Sequence, residues 1–308
     1  MISFLKLIRY KNLLMILLTL VLTKYFLIES FTSNSSLPFF DFILLLISIL
    51  TITAAGYIIN DVFDIETDKI NKPKKVFIGK TISKKDAFYY YYSLNFIGLF
   101  VGLYLSISNK IIVSYLIFLI TAILLYAYSK KLKKIAIIGN LIISLLIALT
   151  IITLYIFEVN TNETSTSFLT ALKSLCDSIS LTLIIFSYTF FAFIITFIRE
   201  MVKDIEDING DYASGMKTLP IILGIDRCKK ILFLISSCCF LFLVFILKEI
   251  KHFLPLLICT ATFVLLPFAY YLYKLWIANT KKQYHQLSQL LKMIMFFGIL
   301  SMLFFKFQ

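Results

Sequence analysis

The sequence predicts an all-α, polytopic membrane protein, a bundle of nine transmembrane helices, and three observations carry that prediction. Of 308 residues 60% are apolar and only 15% charged. The apolar residues gather in nine runs, each long enough to cross a bilayer. Lysine and arginine crowd into alternate loops between those runs. Soluble domains are nearer half apolar and about a quarter charged, so this chain has too little charge for a soluble surface. With 31 Phe and 18 Tyr against 9 Gly, 5 Pro and 5 Cys, it is not a disordered, collagen-like or disulfide-scaffold chain either.

A hydrocarbon core of about 30 Å needs roughly 20 apolar residues in helical form. That rule places spans near 13–31, 40–60, 88–106, 111–128, 135–157, 178–199, 231–248, 253–273 and 288–305. The first starts late and lacks a small-residue cleavage pattern, so it is expected to be a retained helix rather than a signal peptide. Of the 30 cationic residues, 23 lie in the N-terminal arm and in the loops after spans two, four, six and eight. Such asymmetry places the N-terminus in the cytoplasm and the C-terminus outside. The net charge of +13 is therefore mainly a topology signal, and nothing points to nucleic acid or an obligate protein partner.

Other short signals add little. Cys176, Cys228, Cys238, Cys239 and Cys259 form no CxxC pair, so neither a metal knuckle nor a disulfide framework is suggested. The sequons Asn34-Ser35-Ser36 and Asn162-Glu163-Thr164 matter only in a glycosylating compartment.

The acids are more informative. Nine of the 17 fall in two stretches, Asn60-Asp61-Val62-Phe63-Asp64-Ile65-Glu66-Thr67-Asp68 and Arg199 to Asp211. Each contains D-x-x-D-x-x-x-D, as Asp61, Asp64, Asp68 and as Asp204, Asp207, Asp211, at the cytoplasmic end of a span. On a continuous helix, positions i, i+3 and i+7 share one face, while Glu66 and Glu206 point elsewhere. Three like charges at a membrane boundary repel and lose hydration, so something positive must offset them. A solvated helix end paired with nearby lysines is the plain alternative for one cluster; two clusters of identical spacing on the same side favour divalent cations. Mg2+ binds through a few carboxylates and shares phosphate oxygens with a substrate. Two acid clusters framing a cavity with cations around it suit a diphosphate held by metal ions, which leaves when a carbon–oxygen bond ionises. Aromatic residues such as Tyr57, Phe63, Tyr126 and Tyr188 could shield a carbocation or simply serve packing.

The pairing of NDVFDIETD with KDIEDINGD on nine spans resembles the intramembrane aromatic prenyltransferase (UbiA) superfamily. The resemblance covers nearly the whole chain through six ordered blocks: LIRYKN at 7–12, the first acid motif, DKINKP at 68–73, YSKKLKK at 128–134, the second acid motif and GMKTLPIILG at 215–224. It implies a single integral-membrane domain over 1–308, with a central cavity and cytoplasmic cap loops near 61–87, 129–134, 200–230 and 274–287. It also implies Mg2+-dependent transfer of an isoprenoid from its diphosphate in the cell's inner or plasma membrane, with the active site facing the cytoplasm. By position, Asn60, Asp61, Asp64 and Asp68 would hold one metal and Asp204, Asp207 and Asp211 the other. Lys133 and Arg199 would contact diphosphate, with Arg9, Asn12 and Lys134 as further candidates. Two departures stand out: Arg9-Tyr10 where Arg-Pro is usual, and Lys75-Val76-Phe77-Ile78 where a basic-Pro-Ile-Pro segment is usual.

The block from Lys203 to Gly224 resembles most the branch that transfers geranylgeranyl to geranylgeranylglyceryl phosphate. Prenylation of an aromatic quinone precursor uses the same constellation and stays open as the alternative. Neither His252 nor His285 stands out as a general base. Two readings of another class stay open: a membrane transporter, which usually places its acids at mid-bilayer in broken helices, and a non-catalytic lipid-binding protein, against which every ligand position is filled.

Overall fold

The computed structural model describes residues 2–31, 37–73, 76–159 and 168–307. Both sequons, Lys74 and Lys75 lie outside the described residues, as do the side chains of Lys173 and Cys176. Among the described residues, nine helices have the length and composition to cross a membrane: α1 (Tyr10–Phe31), α2 (Phe39–Phe63), α3 (Lys84–Ser108), α4 (Ile112–Lys130), α5 (Ile138–Glu158), α6 (Leu181–Glu206), α7 (Ile225–Glu249), α8 (Leu254–Ile277) and α9 (Lys281–Lys306). Extended pairing among them is limited to isolated bridges, Ile78 with Ile82 and Ile135 with Lys217.

All nine expected spans are present, but several ends differ. Helix α6 continues a longer helix, Phe168–Glu206, that carries Asp204. Helix α9 starts at Lys281 rather than near 288, because Thr280 and Gln283 form a capping box: Gln283 N donates to Thr280 Oγ1 (3.4 Å), and Thr280 N to Gln283 Oε1 (2.9 Å). Reciprocal caps satisfy donors that a helix start would otherwise leave unpaired, so His285, expected in a loop, is helical. Short helices Ile65–Asn71, Ile208–Ala213 and Leu219–Leu223 occupy parts of the segments expected as loops.

The chain divides into two compact units, residues 1–132 with 148–189, and residues 133–147 with 190–308. In the first, α2 is the most buried of the nine helices and packs against α1, α3 and α4. Gly98 and Gly102 let α3 approach it closely. A Cβ at Gly98 would lie 2.6 Å from both Ile52 Cγ1 and Thr51 Oγ1, and Ser48 Oγ donates to the Gly98 carbonyl at 2.8 Å. Small residues four apart allow such backbone approach where no hydrophobic driving force separates helix from lipid.

Helix α1 contains a π-helical stretch, Thr23–Ile28, which carries a fully buried ion pair. The Lys24 ammonium bonds Glu158 at the end of α5 and donates to the Leu37 carbonyl at 2.9 Å, while Leu37 N donates to Glu158 Oε2 at 3.3 Å. The Tyr25 and Phe42 rings flank the ammonium at 5.7 and 5.3 Å.

The second unit is built around Ile198, Val202 and Ile205 of α6, Leu232 and Leu243 of α7, Phe268 and Leu275 of α8, and Leu287 and Leu291 of α9, all buried. Lys229 Nζ and Tyr284 OH both donate to the Ala278 carbonyl, at 2.7 and 3.0 Å, tying down the α8–α9 connection.

Candidate functional site

The first acid motif straddles a break in the backbone. Helix α2 stops at Phe63 because Asp64 adopts φ −97°, ψ 4°, the sparsely populated bridge region in which active-site residues are often found. Hydrogen bonding persists across it, Asp64 N to Asn60 O at 2.9 Å and Asp68 N to Asp64 O at 2.8 Å. The expected face of one continuous helix is thus replaced by two helices, with the middle aspartate at their junction.

Around that junction the side chains are partnered. Asn60 Nδ2 donates to Asp64 Oδ2 at 2.8 Å. Arg9 Nη2 donates to Asp61 Oδ1 at 2.7 Å and its guanidinium lies 5.0 Å from the Tyr57 ring centroid. Arg9 reaches that position from a left-handed conformation, φ 51°, between helix Ile2–Leu7 and α1. Positive φ is costly for a side-chain-bearing residue, and buried Leu7 packed with Ile58, Ile59 and Val62 holds it there. Asn12 N donates to the Arg9 carbonyl at 2.7 Å. Glu66 turns away, pairing with Lys69 at 2.7 Å. The acids nevertheless crowd one another: burial, then the charges of Asp64 and Asp61, push the Asp68 carboxyl up to about 6, against the opposing pull of Lys72 and Arg9.

The second motif repeats the break. Asp207 has φ −98°, ψ 7° between α6 and helix Ile208–Ala213, with Asp207 N bonded to Lys203 O at 2.8 Å and Asp211 N to Asp207 O at 3.2 Å. Asp211 is buried. Asn140, in the first turn of α5, donates from Nδ2 to Asp204 Oδ2 at 2.9 Å. Glu206 turns from the other acids to His285 Nδ1 at 2.8 Å. Lys203 and Arg199 both engage Glu200, at 2.7 and 3.2 Å, and Arg199 Nε is buried without a hydrogen-bond partner. Lys133 and Lys134 form a 3-10 turn, Leu132–Lys134, whose Lys134 carbonyl accepts from Lys217 N at 2.9 Å.

In the first unit, Arg9, Asn12, Asn60, Asp61, Asp64 and Asp68 therefore gather at one end of α2. In the second, Lys133, Lys134, Arg199, Asp204, Asp207 and Asp211 are carried by the turn that precedes α5, the α6 end and the helix after it. Asn140 and the Glu206–His285 pair escaped sequence reasoning, since residues 64 and 79 positions apart carry no local spacing signal. Among the described residues no three His, Cys, Asp or Glu side chains form a ready-made metal cage. Mg2+ does not require one, since it keeps several waters and takes one or two carboxylates plus phosphate oxygens. The crowded acids of the first motif and the all-oxygen donor set fit such an ion.

The UbiA prenyltransferase family model matches residues 16–300. The chain belongs to the UbiA prenyltransferase family. Membership and nine apolar helices make it an integral membrane protein. The digeranylgeranylglyceryl phosphate synthase of Sulfurisphaera tokodaii is 39% identical to this UbiA chain over 186 residues, 60% of the chain and 58% of that protein. The matched segment thus spans less than two thirds of this relative. A solved structure of digeranylgeranylglyceryl phosphate synthase in membranes superposes with TM-score 0.60 at 25% identity, covering 98% of this chain and 96% of that one. A UbiA homolog from Archaeoglobus fulgidus bound to DMAPP and Mg2+ shares the fold at TM-score 0.58 and 15% identity, over 97% and 99% of the two chains.

Proposed function

We propose that this UbiA-family chain transfers a prenyl group from a prenyl diphosphate to a lipophilic acceptor with Mg2+, geranylgeranyl to geranylgeranylglyceryl phosphate being the preferred pairing. The observation that carries the reading is the acid motif occurring twice with its middle aspartate at the same backbone break. The digeranylgeranylglyceryl phosphate synthase names of its relatives support the choice of donor and acceptor.

In this reading Asn60, Asp61, Asp64 and Asp68 hold one metal, and Asp204, Asp207 and Asp211 the other. Bound Mg2+ supplies charge neutralisation of the diphosphate and makes it a better leaving group. Arg199, whose buried Nε has no protein acceptor, donates to a diphosphate oxygen; Lys133 adds positive charge, with Lys134, Arg9 and Asn12 in supporting roles. The breaking carbon–oxygen bond gives its electron pair to the diphosphate, the acceptor hydroxyl attacks the electron-poor allylic carbon, and the hydroxyl proton passes to an oxygen of the departing diphosphate. No side chain is assigned as general base, since His285 is engaged with Glu206. The site is assigned to the cytoplasmic face on the positive-inside bias of the loops.

The test is incubation of the purified protein with labelled geranylgeranyl diphosphate, Mg2+ and a mixed acceptor panel, followed by mass analysis. The expected product is the second ether of an isoprenoid ether lipid. An aromatic product would move the acceptor to a quinone precursor. Asp64→Ala and Asp207→Ala are each expected to abolish diphosphate release while the protein stays in the membrane. Full activity in both, or substrate uptake into proteoliposomes without diphosphate release, would sink the reading.

A further inference from the structure

The first acid of each motif receives a hydrogen bond from outside the motif, but the two donors differ in charge. At Asp61 the donor is the Arg9 guanidinium, 2.7 Å away. At Asp204 it is the neutral amide of Asn140, 2.9 Å away. A carboxylate only accepts, so the amide nitrogen must face it and the amide oxygen must face away. The terminal torsion of an aspartate is broad and roughly two-fold. A single donor on Oδ2 therefore fixes the carboxylate plane and directs Oδ1 elsewhere, without neutralising the charge that attracts a cation.

The position that supplies an amide at the start of the first motif supplies none in the second. Where the first motif begins with Asn60, the second has Lys203, and that ammonium is drawn to Glu200, at 2.7 Å from Oε2 and 3.0 Å from Oε1. The backbone that delivers Asn140 is also constrained. Ile137 has φ 67°, a genuine outlier for a β-branched residue. The preceding segment is fastened by the Ile135–Lys217 bridge and by Lys217 N on the Lys134 carbonyl. Strain of that kind persists only where surrounding structure enforces it.

We infer that Asn140 is a positioning residue for the second metal half-site, holding the Asp204 carboxylate in its ligating orientation through the Nδ2 to Oδ2 hydrogen bond. This rests on the reading of Asp204 as a metal ligand. Partners that orient metal ligands typically change affinity by about 10- to 100-fold when removed.

The test uses the full chain in detergent micelles, with Mn2+ alone as the probe, its binding followed by electron paramagnetic resonance. Asn140→Ala and Asn140→Leu both remove the donor, and the leucine keeps the branched four-heavy-atom shape. Both are expected to weaken Mn2+ binding at one of the two half-sites by about 10- to 100-fold and to raise the Mg2+ concentration for half-maximal activity, with kcat at saturating Mg2+ and the metal-free melting temperature little changed. Wild-type affinity in either variant would overturn the inference, because a hydrogen bond cannot matter in one and not the other. Asp204→Asn separates the layers. If it loses one of the two Mn2+ ions while the Asn140 variants keep both, only the positioning role fails; if it binds both Mn2+ ions normally, the assignment of Asp204 fails too.

Discussion

Removing one side of the Lys24–Glu158 pair should destabilise the protein at least as much as removing both. Lys24 and Glu158 are 1% and 2% exposed, so either one left alone is a charge without solvent. Breaking such a pair costs about 3–5 kcal/mol, whereas replacing both members by apolar groups of similar volume is often neutral. Leu37 modifies that expectation here. Its carbonyl accepts from Lys24 and its N–H donates to Glu158, and one orphaned buried polar group costs about 1–3 kcal/mol. Lys24→Met is therefore expected to lose roughly 4–8 kcal/mol once the Leu37 carbonyl is counted. Glu158→Leu should lose a similar amount through the Leu37 N–H. The double variant keeps only the penalty at the two Leu37 groups, about 2–6 kcal/mol, so it should be no less stable than either single variant. The assay is reversible unfolding in mixed micelles by added denaturing detergent, followed by circular dichroism. Single losses that add in the double variant to within about 0.5 kcal/mol, the behaviour of independent sites, would refute the coupling. So would a loss below about 1 kcal/mol in either single variant, the range of exposed pairs.

Three further outcomes follow from the geometry. Gly98→Ala should lower the thermal stability by about 1–3 kcal/mol through overpacking against Ile52 and Thr51, although alanine is the better helix former by about 1 kcal/mol; a higher melting temperature would show that α2 and α3 are not in close contact. Arg9→Gly and Arg9→Ala both lose the bond to Asp61, but at φ 51° glycine relieves about 1–2 kcal/mol of left-handed strain. Glycine should therefore melt higher, and equal melting points would argue against that backbone. Saturating Mg2+ at about 100 times its Kd should stabilise the protein by roughly 2.7 kcal/mol. Chelation should reverse that gain, and a melting curve indifferent to Mg2+ would count against both half-sites.

Much of the fold was legible because lipid imposes a strong rule on sequence: apolar runs of fixed length and cations on one side located all nine helices. The helix ends were less legible only where local chemistry was passed over. Thr280-x-x-Gln283 spells a capping box and Gly98-x-x-x-Gly102 a close-packing face. The acids were found by spacing, and family order assigned their neighbours. The break at Asp64 and Asp207 was not readable, since neither position holds a glycine or proline and hydrogen bonding continues across each. Pairings such as Asn140 with Asp204, or Lys24 with Glu158, depend on tertiary folding that brings distant helices together. Lys24 in particular has its partner 134 residues away, beyond any local spacing signal.

The two bends have a consequence for how such a protein can change over generations. Asp64 and Asp207 share backbone angles to within 3°, so the acid-bearing spine is set locally, by bonds between residues four apart. What differs between the copies is the outside donor on the leading acid, a cation at position 9 and a neutral amide at position 140. Under the proposed metal-binding reading, substitutions at those two positions would retune each half-site separately, shifting ion preference or loading order, while the six aspartates stay untouched. Variation within such a lineage would then concentrate in the holders rather than in the ligands.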